Sequence, residues 1–452
     1  MIELLRRTAE EDPGREAIVT HDSSVTYAEL VGRADAVAAA LRREGVQRFA
    51  VVEDEAAPVV ALLAGASSAR AEACLYPPAD AAELAELFRR FDHDVVVTAR
   101  DDVDAPRVVR PGEWTDGAAE ADAGPAPDAV RPHLVQTTGT TGVPRGVRHD
   151  WNRLLRSTAR IKPEPGHRWL LAYGLHQFAG LQILLHVFAA GATLVAPAPR
   201  RPREGLRAMR ELAVTHASAT PTFWRFVLAE MRADGGPVPA LRQITLGGEA
   251  IPGPLLDDLA RVFPDANVSQ VYAASEFGST GSVRDRRAGL STEVLERGDD
   301  ADVAMKIVDG ELWVRSRIGM LGYYGEEPVD PDAWRPTGDL VEVVGDRIHF
   351  LGRSSDIINV GGVKVHPLTV EERVSAVPGV GVARVYGRPN PMTGQIVALE
   401  VVPDRDADQS EVEAAIRQAC ADLPAAARPR SIRFVEQVAQ AGHKIVRRDP
   451  GE

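Results

Sequence analysis

Short apolar runs and helical stretches take turns along the first two thirds of this chain, and that rhythm leaves few folds open. Apolar runs at 49–52 and 96–98 alternate with helix-like stretches at 58–69 and 81–91, and further runs follow at 169–173, 193–196, 217–219 and 243–246. Strands of that length separated by helices point to a parallel sheet covered by helices, an α/β architecture. Ahead of them, residues 1–45 read as a helix, a short hairpin (17–20, then 24–26) and a second helix opening at Tyr27. Thr26 suits the N-cap of that helix, and Leu30, Ala34, Val37 and Leu41 recur at helical spacing. Over 303–351 the style changes to short alternating strands broken at Asp309-Gly310 and Gly345-Asp346, a small β-subdomain. The tail carries strands near 381–386 and 395–402 and a helix over 410–421, enough for a small α+β domain. Residues 113–132, rich in Ala, Asp, Gly and Pro, read as an exposed connection.

The bulk properties narrow the function classes. A length of 452 residues suggests two or three domains, and 44% hydrophobic content supports a large core. The net charge of −13 disfavours nucleic acid or an anionic membrane as a partner. Cys74 and Cys420 lie too far apart in sequence to suggest a disulfide framework or zinc site. The N-terminal stretch MIELLRRTAEEDPG lacks the apolar segment of a signal peptide, and no apolar run is long enough to span a membrane. A cytoplasmic monomer or homodimer is expected.

The most chemical stretch is LVQTTGTTGVPRGV, Leu134–Val147. A strand feeding a Gly/Thr-rich turn leaves backbone N–H groups and hydroxyls pointing one way, a nest for phosphate oxygens. Glycine lets the backbone approach a ligand closely. No Walker A pattern fits it.

Further segments follow in order: Gly247-Gly248-Glu249, Tyr272-Ala273-Ala274-Ser275-Glu276, Thr337-Gly338-Asp339-Leu340, Gly352-Arg353, Gly361-Gly362-Val363-Lys364, and Gly442-His443-Lys444. Together with the Thr/Gly loop, this set resembles the adenylate-forming superfamily of acyl-CoA synthetases, aryl-CoA ligases, adenylation domains and luciferases. The resemblance covers almost the whole chain. It implies a large N-terminal adenylation core (1–353) of βαβ layers plus the β-subdomain. A mobile α+β lid (354–452) would follow, carrying the catalytic lysine.

The roles below are those the resemblance implies. Thr137, Thr138, Gly139, Thr140, Thr141 and Gly142 would hold the β- and γ-phosphates of ATP. Arg145 stands where lysine is usual and keeps the positive charge. Glu276 would hold Mg²⁺, with Thr141 as a second ligand; a hard carboxylate suits that ion. Ser275 offers a hydroxyl to the α-phosphate. Tyr272 would pack on the adenine beside Ala273, Gly247, Gly248 and Glu249. Asp339 would accept from the ribose hydroxyls, and Arg353 would contact ribose or phosphate. Lys444 is the candidate cation between carboxylate and α-phosphate, although His443 separates it from the glycine that usually precedes it. Ser355 occupies a hinge position where a charged residue is common. Gly361, Gly362 and Lys364 would face the site in a second, thioester-forming state.

Candidates for the acid pocket are Tyr173, His176, Phe178, Ala179, Ala219, Thr220, Phe223 and Phe277. No aspartate matches the amino-group anchor of amino-acid adenylation domains, which disfavours an α-amino acid. The leading expectation is an AMP-forming ligase that activates a small-molecule carboxylic acid, aryl or otherwise from specialised metabolism. The acyl group would then pass to a thiol of coenzyme A or a carrier protein. An ATP-dependent diazotase acting on nitrite and an arylamine is the alternative, and a degenerate nucleotide binder is a third.

Overall fold

The computed structural model describes residues 1–117, 129–138, 144–197, 200–404, 407–441 and 444–447; of Thr138, Gln440, Ala441 and Lys444 it describes only the backbone. The expected sheet is two sheets. In one, strands Asn267–Ala274, Gln243–Gly247, His216–Ala219, Arg168–Leu171, Thr193–Val195 and Glu16–Val19 run parallel in that spatial order. Gly278–Val283 and Ser24–Thr26 close its edges antiparallel. In the other, Pro132–Thr138, Glu72–Leu75, Arg48–Val52, Val95–Thr98 and Arg107–Val109 are parallel, and Pro144–Asp150 and Gly322–Tyr323 are antiparallel.

Helix Ala56–Ala69 explains how two sheets share one core. Its sequence AAPVVALLAGASSA is apolar on nearly every face, and Val59–Ser68 are all buried. A helix apolar all round must be enclosed. One core cluster joins it to Ile18, Leu171 and Leu194 of the first sheet and to Phe49, Leu75 and Val135 of the second. Gly65 is required at the crossing with helix Tyr27–Arg43, because a Cβ there would lie 2.6 Å from Val37 Cβ. Thr26 caps that neighbouring helix as expected, in a capping box with Glu29.

The 113–132 connection needs correcting at both ends. Pro111–Thr115 is a short helix, and Trp114 is buried with its ring edge-on to Phe49 at 5.4 Å. A single indole buries a large apolar surface, which the polar composition around it does not register. Arg131 is also buried, and Pro132 starts a strand. Residues 118–128 lie outside the described ones.

Strands Leu290–Ser291, Arg347–Arg353, Arg335–Val344, Glu311–Ser316 and Val303–Val308 form the β-subdomain as one antiparallel sheet. Beyond it, Ile358–Val360, Val363–Val365, Val380–Asn390, Gly394–Pro403 and Ser431–Phe434 form a further sheet, with helices Pro367–Ser375 and Gln409–Ala419. These elements have a core of their own, from Ile358 to Leu423. Among the described residues no helix is long and apolar enough to cross a membrane.

Candidate active site

A cavity of 1930 Å³ opens where the first sheet, the β-subdomain and the tail meet. Strand Gln243–Gly247 ends at its wall. Gly248 then takes φ +84°, a left-handed turn that suits glycine. Tyr173 Oη donates to the Gly247 carbonyl at 3.3 Å, and burial pushes the Tyr173 phenol up.

Glu249 has a wider task than lining a turn. Its carboxylate accepts from Thr222 N at 3.0 Å and Thr222 Oγ1 at 2.8 Å, at the N-terminus of helix Pro221–Asp234. It also accepts from Ile445 N at 3.2 Å. Burial raises its pKa against the lowering effect of the Thr222 bonds, Arg447 and Ile445. A helix N-terminus and a free strand amide are good partners for a carboxylate.

Tyr272, on strand Asn267–Ala274, donates its hydroxyl to Asp339 Oδ2 at 2.6 Å, and its ring lies 4.9 Å from Phe350. Asp339 Oδ1 meets Arg353 Nε at 3.2 Å, because the ladder sets Asp339 opposite Arg353. Gly338 at φ +77° turns the strand, and Thr337 Oγ1 accepts from Asp339 N at 3.0 Å. Burial works to lower the Arg353 pKa, but Asp339, Glu276 and Tyr272 prevail and raise it. Asp339 is thus held by a neutral donor and a cation before any ligand arrives.

Glu276 accepts from Tyr323 Oη at 3.2 Å, and burial and Glu276 push the Tyr323 phenol up to about 12. The Arg145 guanidinium lies 3.4 Å from the Tyr323 ring centroid and pairs with Glu326. Thr137 and Arg145 are opposed across the strands that flank the Thr/Gly loop, and Thr137 Oγ1 donates to the Arg145 carbonyl at 3.4 Å. Gly139, Thr140, Thr141 and Gly142 lie outside the described residues, as do the side chains of Thr138 and Lys444. Ala273 and Ser275 line the cavity.

The backbone of Lys444 is fixed even so. Strand Lys444–Ile445 pairs with Gln440–Ala441, and Arg384 Nε donates to the Val446 carbonyl at 2.5 Å. Arg447 pairs with Glu371 at 2.6 Å. Lys444 therefore adjoins the residue that docks on Glu249.

Tyr173, His176, Phe178, Ala179, Thr220 and Phe277 all line the cavity. Phe178 stacks on His149 at 5.0 Å, and Thr220 Oγ1 accepts from Phe223 N at 3.1 Å as a helix cap. Ala219 and Phe223 are corrections: both are buried in the core on the sheet's other side. The Phe223 ring packs so tightly under Gly205 that a Cβ there would come within 2.7 Å of it.

Ser355 sits exposed in the single turn Ser354–Asp356, with its hydroxyl donating to Asp356 Oδ1 at 3.0 Å. Gly361 and Gly362, with φ of +59° and +89°, form an exposed hairpin turn next to Lys364. None of these four residues lines the cavity in this arrangement.

Sequence reasoning missed Tyr323 and Arg335. The Arg335 guanidinium lies 4.8 Å from the Phe277 ring and donates to the Glu276 carbonyl at 3.4 Å. Neither residue has a local motif, since each reaches the site through a strand pairing. Polar residues on the inner strands were also missed, although the alternation in His216–Ala219 (HASA) and Gln243–Gly247 (QITLG) carried the signal.

The profile described as AMP-binding enzyme matches residues 5–324, and that described as AMP-binding enzyme C-terminal domain matches 369–443. The medium/long-chain-fatty-acid–[acyl-carrier-protein] ligase FadD10 of Mycobacterium tuberculosis is 27% identical, over 88% of this chain and 77% of its own length. The 2-succinylbenzoate–CoA ligase of Bacillus licheniformis is 24% identical over 98% of both chains. The anthranilate CoA ligase AuaEII, solved with anthranoyl-AMP, has the same fold: TM-score 0.85, 20% identity, 98% of this chain and 95% of that one. With a profile match across most of its length, the chain belongs to the AMP-binding enzyme family.

Proposed function

We propose that this chain is an AMP-forming acid–thiol ligase with a core at 1–353 and a rotating lid from 354 onward. The carboxylate oxygen of a small-molecule acid attacks the α-phosphorus of ATP. The bond to the β-phosphate oxygen breaks, pyrophosphate leaves, and an acyl-AMP remains. In the second half-reaction a thiolate attacks the acyl carbon and AMP departs. Tyr272 supports the adenine. Asp339, oriented by Tyr272 and Arg353, accepts from the ribose. Arg145 moves from Glu326 to the phosphates, and Lys444 screens the approach of two anions at the reacting centre. Glu276 is the residue to hold Mg²⁺, with Thr141; its carboxylate, tethered on the cavity wall by Tyr323, is the hard donor that ion prefers. When bound, the ion neutralises phosphate charge.

The observation that carries this reading is the docking of Ile445 on Glu249, which puts the Lys444 segment at the cavity that Asp339, Glu276 and the acid-pocket residues share. The thiol is that of coenzyme A or of a carrier protein; relatives named above use one or the other. The test is pyrophosphate release screened over fatty, aryl and amino-aryl acids and nitrite, with and without coenzyme A or a carrier protein. Acid-dependent release followed by a thioester is expected. Release that requires nitrite and an arylamine would replace this reading with diazotisation.

A further inference from the structure

The inner strands of a parallel sheet covered on both faces are normally apolar throughout. Three neighbouring strands here are not. In register across them lie His216, Gln243 and Asn267, and two residues further on Ser218, Thr245 and Ser269. All six line the cavity. The residues between them, Ala217, Ile244 and Val268, are buried in the opposite core. One face of the sheet is therefore oily and the other is a wall of two polar rows. Helix Phe178–Ala189 covers that wall and presents Gln182 and His186 to the same space.

The wall is already wired. Gln243 Nε2 donates to Thr245 Oγ1 at 3.2 Å and also to Ser269 Oγ, and Thr245 and Ser269 hydroxyls meet at 3.3 Å. Its members are neutral amides, hydroxyls and a histidine. Burial, followed by the nearby His167, His186 and Arg242, pushes His216 down to about 3, so it too is neutral. From the Gly247 row, beside the nucleotide residues, to the Gln243 row is four residues of strand, or roughly 13 Å. A hydrocarbon chain lying there would strip water from hydroxyls and amides and return no bond; a chain with hydrogen-bonding groups would replace the water.

We propose that the acid activated here is an elongated one that carries neutral hydrogen-bonding groups, amide or hydroxyl, along its chain, read by the His216–Gln243–Asn267 and Ser218–Thr245–Ser269 rows. This rests on the ligase reading above and goes beyond it, since the relatives include ligases named for fatty acids. Ser218, Thr245 and Ser269 are specificity residues; they stand a row below Gly247 and away from the reacting carboxylate.

The test pairs ε-acetamidocaproic acid with nonanoic acid, chains of equal length with and without an amide. Each is joined to sulfamoyl adenosine, and binding to the full chain is measured by calorimetry, so that no turnover is needed. The amide-bearing ligand should bind at least about tenfold more tightly, and Thr245→Val with Ser269→Ala should shrink that preference about tenfold. Equal binding, or tighter binding of the nonanoyl ligand, overturns the inference while leaving the ligase reading intact. A preference unchanged in the double variant overturns the role of these rows. If neither conjugate binds, and ATP does not bind either, the ligase reading itself falls.

Discussion

Glu276 is tethered on the cavity wall. The Tyr323 hydroxyl holds one of its oxygens, and the Arg145 guanidinium covers the Tyr323 ring. Glu276→Gln is expected to raise the magnesium concentration needed for half-maximal pyrophosphate release, because a neutral amide is a poor ligand for a hard dication. An unchanged magnesium titration would place the metal on other residues. Lys444→Ala should lower kcat by about 10²–10³ with little change in KM for ATP, the pattern of a group that acts only on the transition state. Near wild-type pyrophosphate release would dismiss Lys444. At this scale the motifs were legible as positions around one cavity: Asp339 and Arg353, read separately in the sequence, are an ion pair at 3.2 Å. Glu249 was legible as a position and not as a partner, since Thr222 and Ile445 are remote in sequence.

Among the elements, the turn Ser354–Asp356 is where the proposed lid rotation would be felt first. Arg353 precedes it in an extended conformation, φ −81° and ψ 144°, which is what a residue before proline requires. Proline fits the first position of such a turn, where its missing N–H has no helical partner. Ser354→Pro should therefore preserve the arrangement described here and oppose any that turns the backbone at Arg353 or Ser354, next to the hinge position Ser355. Expected is a single-turnover burst of acyl-AMP, followed by thioester formation slowed by orders of magnitude. Full retention of both half-reactions would mean that no rotation about Arg353 or Ser354 is needed. The hairpin at 16–26 and the capped helix after it were readable because their signals are local. Trp114 and Phe223 were not, because burial of a large ring is decided by what packs on it.

Taken whole, the molecule buries histidines that must stay neutral. Burial lowers His93 to about 3, His133 to about 4, His149 to about 3 and His216 to about 3, against an ordinary value near 6.5. The folded chain leaves them unprotonated while the unfolded chain protonates them below about pH 6.5. Unfolding then takes up protons, so stability is fully present above about pH 6.5 and falls as pH drops from there towards 4. Each histidine contributes up to about 1.4 kcal/mol per pH unit in that window. Urea midpoints should drop clearly between about pH 7 and pH 5, with net proton uptake on unfolding; a flat profile would contradict the buried neutral state. The split into two sheets was beyond the sequence, because the apolar rhythm is the same in either case and only helix Ala56–Ala69, enclosed between them, decides it.

Glu249 also makes two distant segments answer to each other. One carboxylate accepts from the first turn of helix Pro221–Asp234 and from the tail at Ile445. Whatever favours the docked tail must then steady that helix turn, and by reciprocity whatever loosens the turn must release the tail. Amide hydrogen exchange gives this coupling a direct readout. Saturating nucleotide should slow exchange at Thr222 and Ile445 together, and Glu249→Gln should weaken the correlation. Independent protection of the two amides would mean that the carboxylate only bridges them and carries no message between the domains.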